Sequence, residues 1–275
     1  MAKFTLVDNT TVVSAVVMRF DGEQDSKRLR LHDVGADEKV LQLNSTKAAV
    51  ATATLKGAFD HRKGIWTISL SAKSKGTADI EAKLKGATVA KLAVTVTEQM
   101  VLPAAAGEEG MLVRLFLAEN LSPSQPKYNA ADSRKSMEWM RVVLVNRLKN
   151  NPERFAASGA TTITDIVKAK GQFAGFENYP TLGSKLSARI EEAVKIANND
   201  SDARQEKYVQ FLQNALDAAK GSPIADPCPT GLYGWRTVGH GSPGGNFEAY
   251  GSALSGNQFY TLKKKEEKKE SKEKK

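Results

Sequence analysis

A carboxylate closes an apolar run in Met111-Leu-Val-Arg-Leu-Phe-Leu-Ala-Glu119-Asn120, directly before a Pro- and Ser-containing stretch at 121–126. A Glu held there has apolar neighbours on one side and the rim of a loop-bordered cleft on the other. Desolvation disfavours the charged form, so the sequence predicts a raised pKa and a carboxyl that keeps its proton towards neutral pH. Such a group can break a glycosidic bond by protonating the leaving sugar oxygen. A Glu at a helix end is more often solvated or salt-bridged, so the residues downstream have to decide the matter.

Two further segments carry suitable side chains. Gly171-Gln-Phe-Ala-Gly-Phe-Glu-Asn-Tyr-Pro180 gathers two Phe, a Tyr, a Gln and a Glu on one loop. Aromatic faces beside amide donors and acceptors suit sugar rings, and a hydrophobic plug is the equal alternative. The apolar stretch Trp139-Met-Arg-Val-Val-Leu-Val-Asn-Arg-Leu148 embeds Asn146 and Arg147, which could equally serve neighbouring backbone groups in a core. Other chemistries find little. The three histidines, His32, His61 and His240, have no metal-ligand spacing. Residues 239–245 lack the Lys and following helix of a phosphate cradle. Ser242 has no nucleophile-elbow frame, and Cys228 has no His or second Cys nearby in the sequence.

Four landmarks occur in order: Leu115-Phe-Leu-Ala-Glu119, Val142-Val-Leu-Val-Asn-Arg147, Lys170-Gly-Gln-Phe173 and Gly256-Asn-Gln-Phe-Tyr260. Together they resemble the cell-wall hydrolase family of the spore cortex-lytic enzymes over residues 111–262. The resemblance implies a lysozyme-like, mainly helical domain that cleaves the peptidoglycan glycan strand, with Glu119 as the catalytic acid and no cofactor or metal. The chain departs from the family in three places. Asn120-Leu-Ser-Pro-Ser stands where the family continues to a second Glu, residues 125–135 are inserted, and Gln258 replaces a frequent His. Residue types and motif positions together mark Asn146, Gln172, Phe173 and Glu177 as candidate sugar contacts, with Tyr179, Tyr233, Asn257 and Tyr260.

A hydrolytic muramidase needs a second carboxylate, and Glu177 is the candidate inside the aromatic loop. A lytic transglycosylase needs one carboxyl only, because the muramic C6 hydroxyl serves as an intramolecular nucleophile. Sequence favours the transglycosylase and leaves open both hydrolysis and a non-catalytic glycan-binding or adaptor role.

These residues need elements to hold them. Residues 1–100 alternate or run β-branched in short segments, including 11–20, 28–31, 39–43, 65–70, 78–84 and 91–96. That spacing predicts a β-sandwich. Residues 75–96 resemble the closing hairpin of bacterial immunoglobulin-like domains. A linker is expected at 101–107, beyond which the period shifts to that of helices, predicted over 108–120, 133–149, 164–169, 184–198 and 202–220. The Gly- and aromatic-rich stretch 221–262 reads as loops with a small hairpin. The expected architecture is therefore an all-β immunoglobulin-like sandwich, for docking or wall binding, followed by a mainly α lysozyme-like domain over 108–262. A disordered Lys/Glu tail at 263–275 completes it.

Charge separates the same way. Of the net +9, residues 1–100 hold +4, 101–262 hold +1 and the tail +4, so the presumptive chemical region offers no nucleic-acid groove. One cysteine excludes an intrachain disulfide. The start of the chain lacks the pattern of a secretory signal, and no apolar run is long enough to span a bilayer. The expectation is a protein made in the cytoplasm that reaches peptidoglycan in the periplasm or cell wall by non-classical delivery. A contractile secretion machine, with a carrier and an immunity protein as partners, and release as a phage lysin both remain open.

Overall fold

In the computed structural model, residues 1–20, 25–37, 39–220 and 223–263 are described. Asp21-Gly22, whose residue types signal a turn, Gly221, a residue suited to stop the preceding helix, and the tail beyond Lys263 lie outside them. The described chain forms two compact units. One comprises Met1–Val101 and Val194–Glu206, and the other Leu102–Ala193 with the segment from Lys207 onwards.

The first unit holds nine strands: β1 (Lys3–Thr5), β2 (Val12–Val13), β3 (Ala15–Phe20), β4 (Asp25–His32), β5 (Leu41–Ser45), β6 (Ala51–Asp60), β7 (Ile65–Ala72), β8 (Gly76–Leu84) and β9 (Ala87–Glu98). They form a five-stranded sheet ordered β2-β1-β4-β7-β6 and a four-stranded sheet ordered β3-β9-β8-β5. All neighbours are antiparallel except β3 and β9. The apolar run 11–20, which reads as a single strand, switches sheets at Ser14: Val12 pairs with Thr5, and Ala15 with Ala93. Alternate residues of both sheets meet in one core that includes Met18, Leu29, Leu31, Ile68, Leu70, Ile80, Leu92 and Val94.

Residues 194–206 attach to these strands through polar groups. The Asn198 side chain copies a strand edge: its Oδ1 accepts from Met100 N at 2.7 Å and its Nδ2 donates to Met100 O at 2.9 Å. Asp200, fully buried, accepts from Arg19 N at 2.8 Å and from the Gln205 side chain. Gln205 Oε1 in turn accepts from the buried Lys27 Nζ at 3.0 Å. Asp200, Gln205 and Lys27 thus each have a partner, which is what their burial demands.

The second unit contains α1 (Glu108–Glu119), α2 (Ala130–Lys149), α3 (Ile163–Lys168) and most of α4 (Ser184–Ala197) and α5 (Gln205–Lys220). It also contains β10 (Gly234–Thr237), β11 (Phe247–Leu254) and β12 (Asn257–Leu262). Helix α1 buries Met111, Leu112, Val113, Leu115, Phe116 and Leu117, so apolar residues surround its axis, as in a central helix. Asn129 caps α2 by accepting from the backbone of Ala131 and Asp132, and Thr162 with Asp165 forms a capping box on α3. The antiparallel sheet runs β10-β12-β11, with Trp235 opposite Phe259. Trp139 of α2 packs edge-on to Phe259 at 5.2 Å between ring centroids.

The expected architecture needs correction. Twelve strands in three sheets accompany only five α-helices among the described residues, so the chain is mostly β and does not carry a mainly α lysozyme-like domain. The physical reason lies in 234–262. Of the eight residues of β11 only Leu254 is buried, and the β11–β12 register shifts between Tyr250 and Leu254. Exposure and a bulge erase the period-two pattern by which a strand is recognised, so the stretch reads as loops with a small hairpin and not as a three-stranded sheet. Among the described residues, no helix is long and apolar enough to cross a membrane.

Candidate functional site

The last turn of a helix leaves carbonyls without intrahelical donors. At the end of α1 other elements supply them. Arg189 of α4 donates to Ala118 O at 2.9 Å and Asn120 O at 2.5 Å, and Asn257 Nδ2 of β12 donates to Glu119 O at 2.8 Å. The Arg189 cation also lies at the negative end of the helix dipole. Asn120 turns its Nδ2 back to Phe116 O at 2.9 Å. These bonds fix the backbone that carries Glu119.

The Glu119 side chain borders a cleft of about 510 Å³. Walls come from α2 (Arg147), the turn at Arg154, Phe155 and Ala156, the loop Gly171, Gln172, Phe173 and Ala174, and β10 with the residues after it: Trp235, Arg236, Thr237, His240, Pro243 and Phe247. Burial raises the Glu119 pKa above the ordinary 4.5, while the Trp235 hydrogen bond and the Arg189 charge pull it partly back. Trp235 Nε1 donates to Glu119 Oε2 at 3.2 Å. Phe173 stacks on Trp235 at 5.0 Å, so the aromatic wall continues from the carboxyl to the 171–174 loop. Among the described residues, Glu119 is the one carboxylate lining this cleft.

Arg147, buried, lines the cleft against the loop. Its Nε donates to Tyr233 O at 2.7 Å and its Nη1 to Gln172 Oε1 at 2.7 Å. The guanidinium lies 5.4 Å from the Phe155 ring and 5.9 Å from the Phe173 ring. Burial lowers its pKa to about 10, which still leaves it charged at neutral pH.

Three of the sequence candidates, Glu119, Gln172 and Phe173, line the cleft. The others lie elsewhere. Asn146 donates to Asp226 Oδ2 at 2.5 Å and Leu232 O at 2.9 Å, tying α2 to the segment before β10. Glu177 accepts from Gly175 N at 2.9 Å within its own loop. Tyr179 is buried and stacked on Phe176, and burial raises its pKa. Tyr233 stacks on Phe155 and accepts from Asn150 Nδ2 at 2.7 Å. Asn257 holds the Glu119 backbone from behind, and Tyr260 donates to Gly241 O at 3.0 Å, bracing the loop after β10. Trp235, Arg154 and Arg236 also line the cleft and are not among the sequence candidates. A Trp directly after Gly234 in a Gly- and aromatic-rich stretch is a usable signal, but its partner Glu119 is 116 positions away.

No family model matches the chain, and no curated protein matches it. Among solved structures the chain is similar to parts of a surface-layer protein. Against SbsC domains 1-6 it shows 15% identity and a TM-score of 0.25, over 32% of this chain and 12% of that one. Against SbsC domains 4 and 5 the figures are 18% and 0.22, over 31% and 47%, and against domains 5-6 they are 17% and 0.24, over 33% and 42%. The chain thus spans less than half the length of each. A likeness this slight assigns neither fold nor function.

Proposed function

We propose that the protein cleaves the β-1,4 bond between N-acetylmuramic acid and N-acetylglucosamine in peptidoglycan, as a lytic transglycosylase. The observation that carries this reading is the lone cleft carboxyl, Glu119, whose pKa is raised by burial and which stands beside the Trp235–Phe173 wall. The Trp235 N–H engages Oε2, leaving Oε1 to carry a proton. Glu119 gives that proton to the glycosidic oxygen as the bond from C1 to that oxygen breaks. The C6 hydroxyl oxygen of the same muramic residue bonds to C1, and its proton passes to the Glu119 carboxylate. The acid is regenerated and no water is consumed. One residue serves as acid and then base, in keeping with the absence of a second carboxylate among the described cleft residues. On this reading the site of action is the wall polymer of the periplasm or cell surface.

Glu119→Gln keeps the shape and removes the transferable proton. Activity on purified peptidoglycan should fall by at least ~100-fold, the usual scale of a general acid. Mass spectrometry of wild-type digests should show 1,6-anhydro-muramyl ends, lighter by one water than hydrolytic ends. A Glu119→Gln protein with most of its rate intact removes the assignment. Reducing ends in the wild-type digest replace transglycosylation with hydrolysis.

A further inference from the structure

We propose that Arg147, Arg154 and Arg236 form a subsite for a carboxylate carried by the glycan next to the bond that Glu119 protonates. This deepens the glycan reading above and rests on it. Three guanidinium groups line the cleft against one carboxyl, Glu119, whose burial favours its neutral form. Among the described residues, none of the three arginines forms a salt bridge. Arg154 and Arg236 are exposed at the rim, their hydrogen bonds going to the Asn150 side chain at 3.4 Å and the His240 carbonyl at 3.3 Å. Both are long contacts to neutral acceptors, and they leave most of each guanidinium fork open.

Arg147 strengthens the case because it is buried. A desolvated charge is costly unless an opposite charge meets it, and its hydrogen-bond partners here, a carbonyl and an amide, are neutral. The faces of Phe155 and Phe173 offset part of that cost. An anion entering the cleft would offset more, in a low-dielectric site where the attraction is strong. Guanidinium groups match a carboxylate in shape as well as charge, since two parallel N–H groups meet its two oxygens. A peptidoglycan strand offers such an anion from two sources: the lactyl carboxylate of a peptide-free muramic residue, or the carboxylates of an attached stem peptide.

The test measures binding by full-length protein carrying Glu119→Gln, so that the ligands stay intact. Two soluble muramic-containing fragments are used, one without peptides and one with them, each beside its own counterpart made neutral by amidation. The proposal expects at least one charged fragment to bind ~10-fold or more tightly than its neutral counterpart, a difference of about 1.4 kcal/mol. Which fragment does so identifies the carboxylate. Adding Arg154→Gln and Arg236→Gln, both at exposed positions, should shrink that preference at least several-fold while the melting temperature holds, the buried Arg147 keeping the remainder. Equal binding of charged and neutral forms overturns the subsite, as does a preference that the double substitution leaves unchanged. Failure of all four fragments to bind overturns both the subsite and the glycan reading. Wild-type protein that keeps the preference but leaves the strands uncut overturns cleavage alone.

Discussion

Glu119 meets two opposing influences. Burial favours the neutral acid, while the indole N–H of Trp235 and the charge of Arg189 favour the carboxylate, and burial prevails. That balance makes stability depend on pH. A carboxyl whose pKa is raised by folding contributes fully below its ordinary value of 4.5, and the contribution is lost as pH rises through the raised value. Glu119→Gln has no such titration. Its thermal stability should match wild type near pH 4 and exceed it increasingly above, levelling off once Glu119 is ionised. Melting curves between pH 4 and 8 check this independently of any activity, and a variant that is less stable at pH 8 contradicts the direction.

At the scale of elements, the end of α1 depends on the β11–β12 turn. Gly256 has φ of +79°, and a Cβ there would come within 2.8 Å of Leu121 Cγ, next to the end of α1. Gly256→Ala should therefore cost about 1–3 kcal/mol from backbone strain alone. It should also displace Leu121 and lower activity. At the other end of α1, a Cβ on Gly110 would meet the Ala104 carbonyl oxygen at 2.0 Å, so Gly110→Ala should also destabilise, here through close approach. Denaturant titration of both variants reads the losses, and wild-type stability in either contradicts the contact invoked. The five helices lie within a few residues of the pattern in the sequence: α1 is a near-continuous apolar run, and the others bury a stripe at helical spacing or start at a recognisable cap. Strand β6 is hard to read: Ala51-Thr-Ala-Thr-Leu-Lys56 alternates, but small alanines give weak contrast, and the exposed Lys56, Gly57 and Ala58 interrupt the pattern. Glu119 and the Gln172–Phe173 pair could be found locally, whereas Trp235, Arg154 and Arg236 join them only through folding.

For the whole molecule, the boundary near Pro103 marks where period two gives way to 3.6, yet it is not where the first unit ends. Residues 194–206 return to it, and nothing in their composition announces this, because the attachment uses Asn198, Asp200 and Gln205 rather than an apolar patch. A chain beginning near Ala105 would leave the buried Asp200 without the Arg19 backbone, and Gln205 without Lys27. Unmade bonds of buried polar groups cost ~1–3 kcal/mol each. The truncated protein should melt at a lower temperature than the full chain, with the loss centred on the 194–206 segment in hydrogen exchange. Unchanged protection of that segment contradicts the role given to these bonds.

The same return of the chain bears on what a protease can accomplish. The peptide runs from one unit to the other at three places: after Val101, after Ala193 and after Glu206. A nick between 102 and 107 therefore cuts only one of three covalent tethers, and the amino-terminal fragment still has Asn198, Asp200, Ser201 and Gln205 as hydrogen-bond partners. The cleaved molecule becomes a two-chain protein whose pieces elute together until a denaturant parts them. Its sandwich is then a split domain, reassembled from a fragment of about a hundred residues and a short clasp borrowed from the rest of the chain.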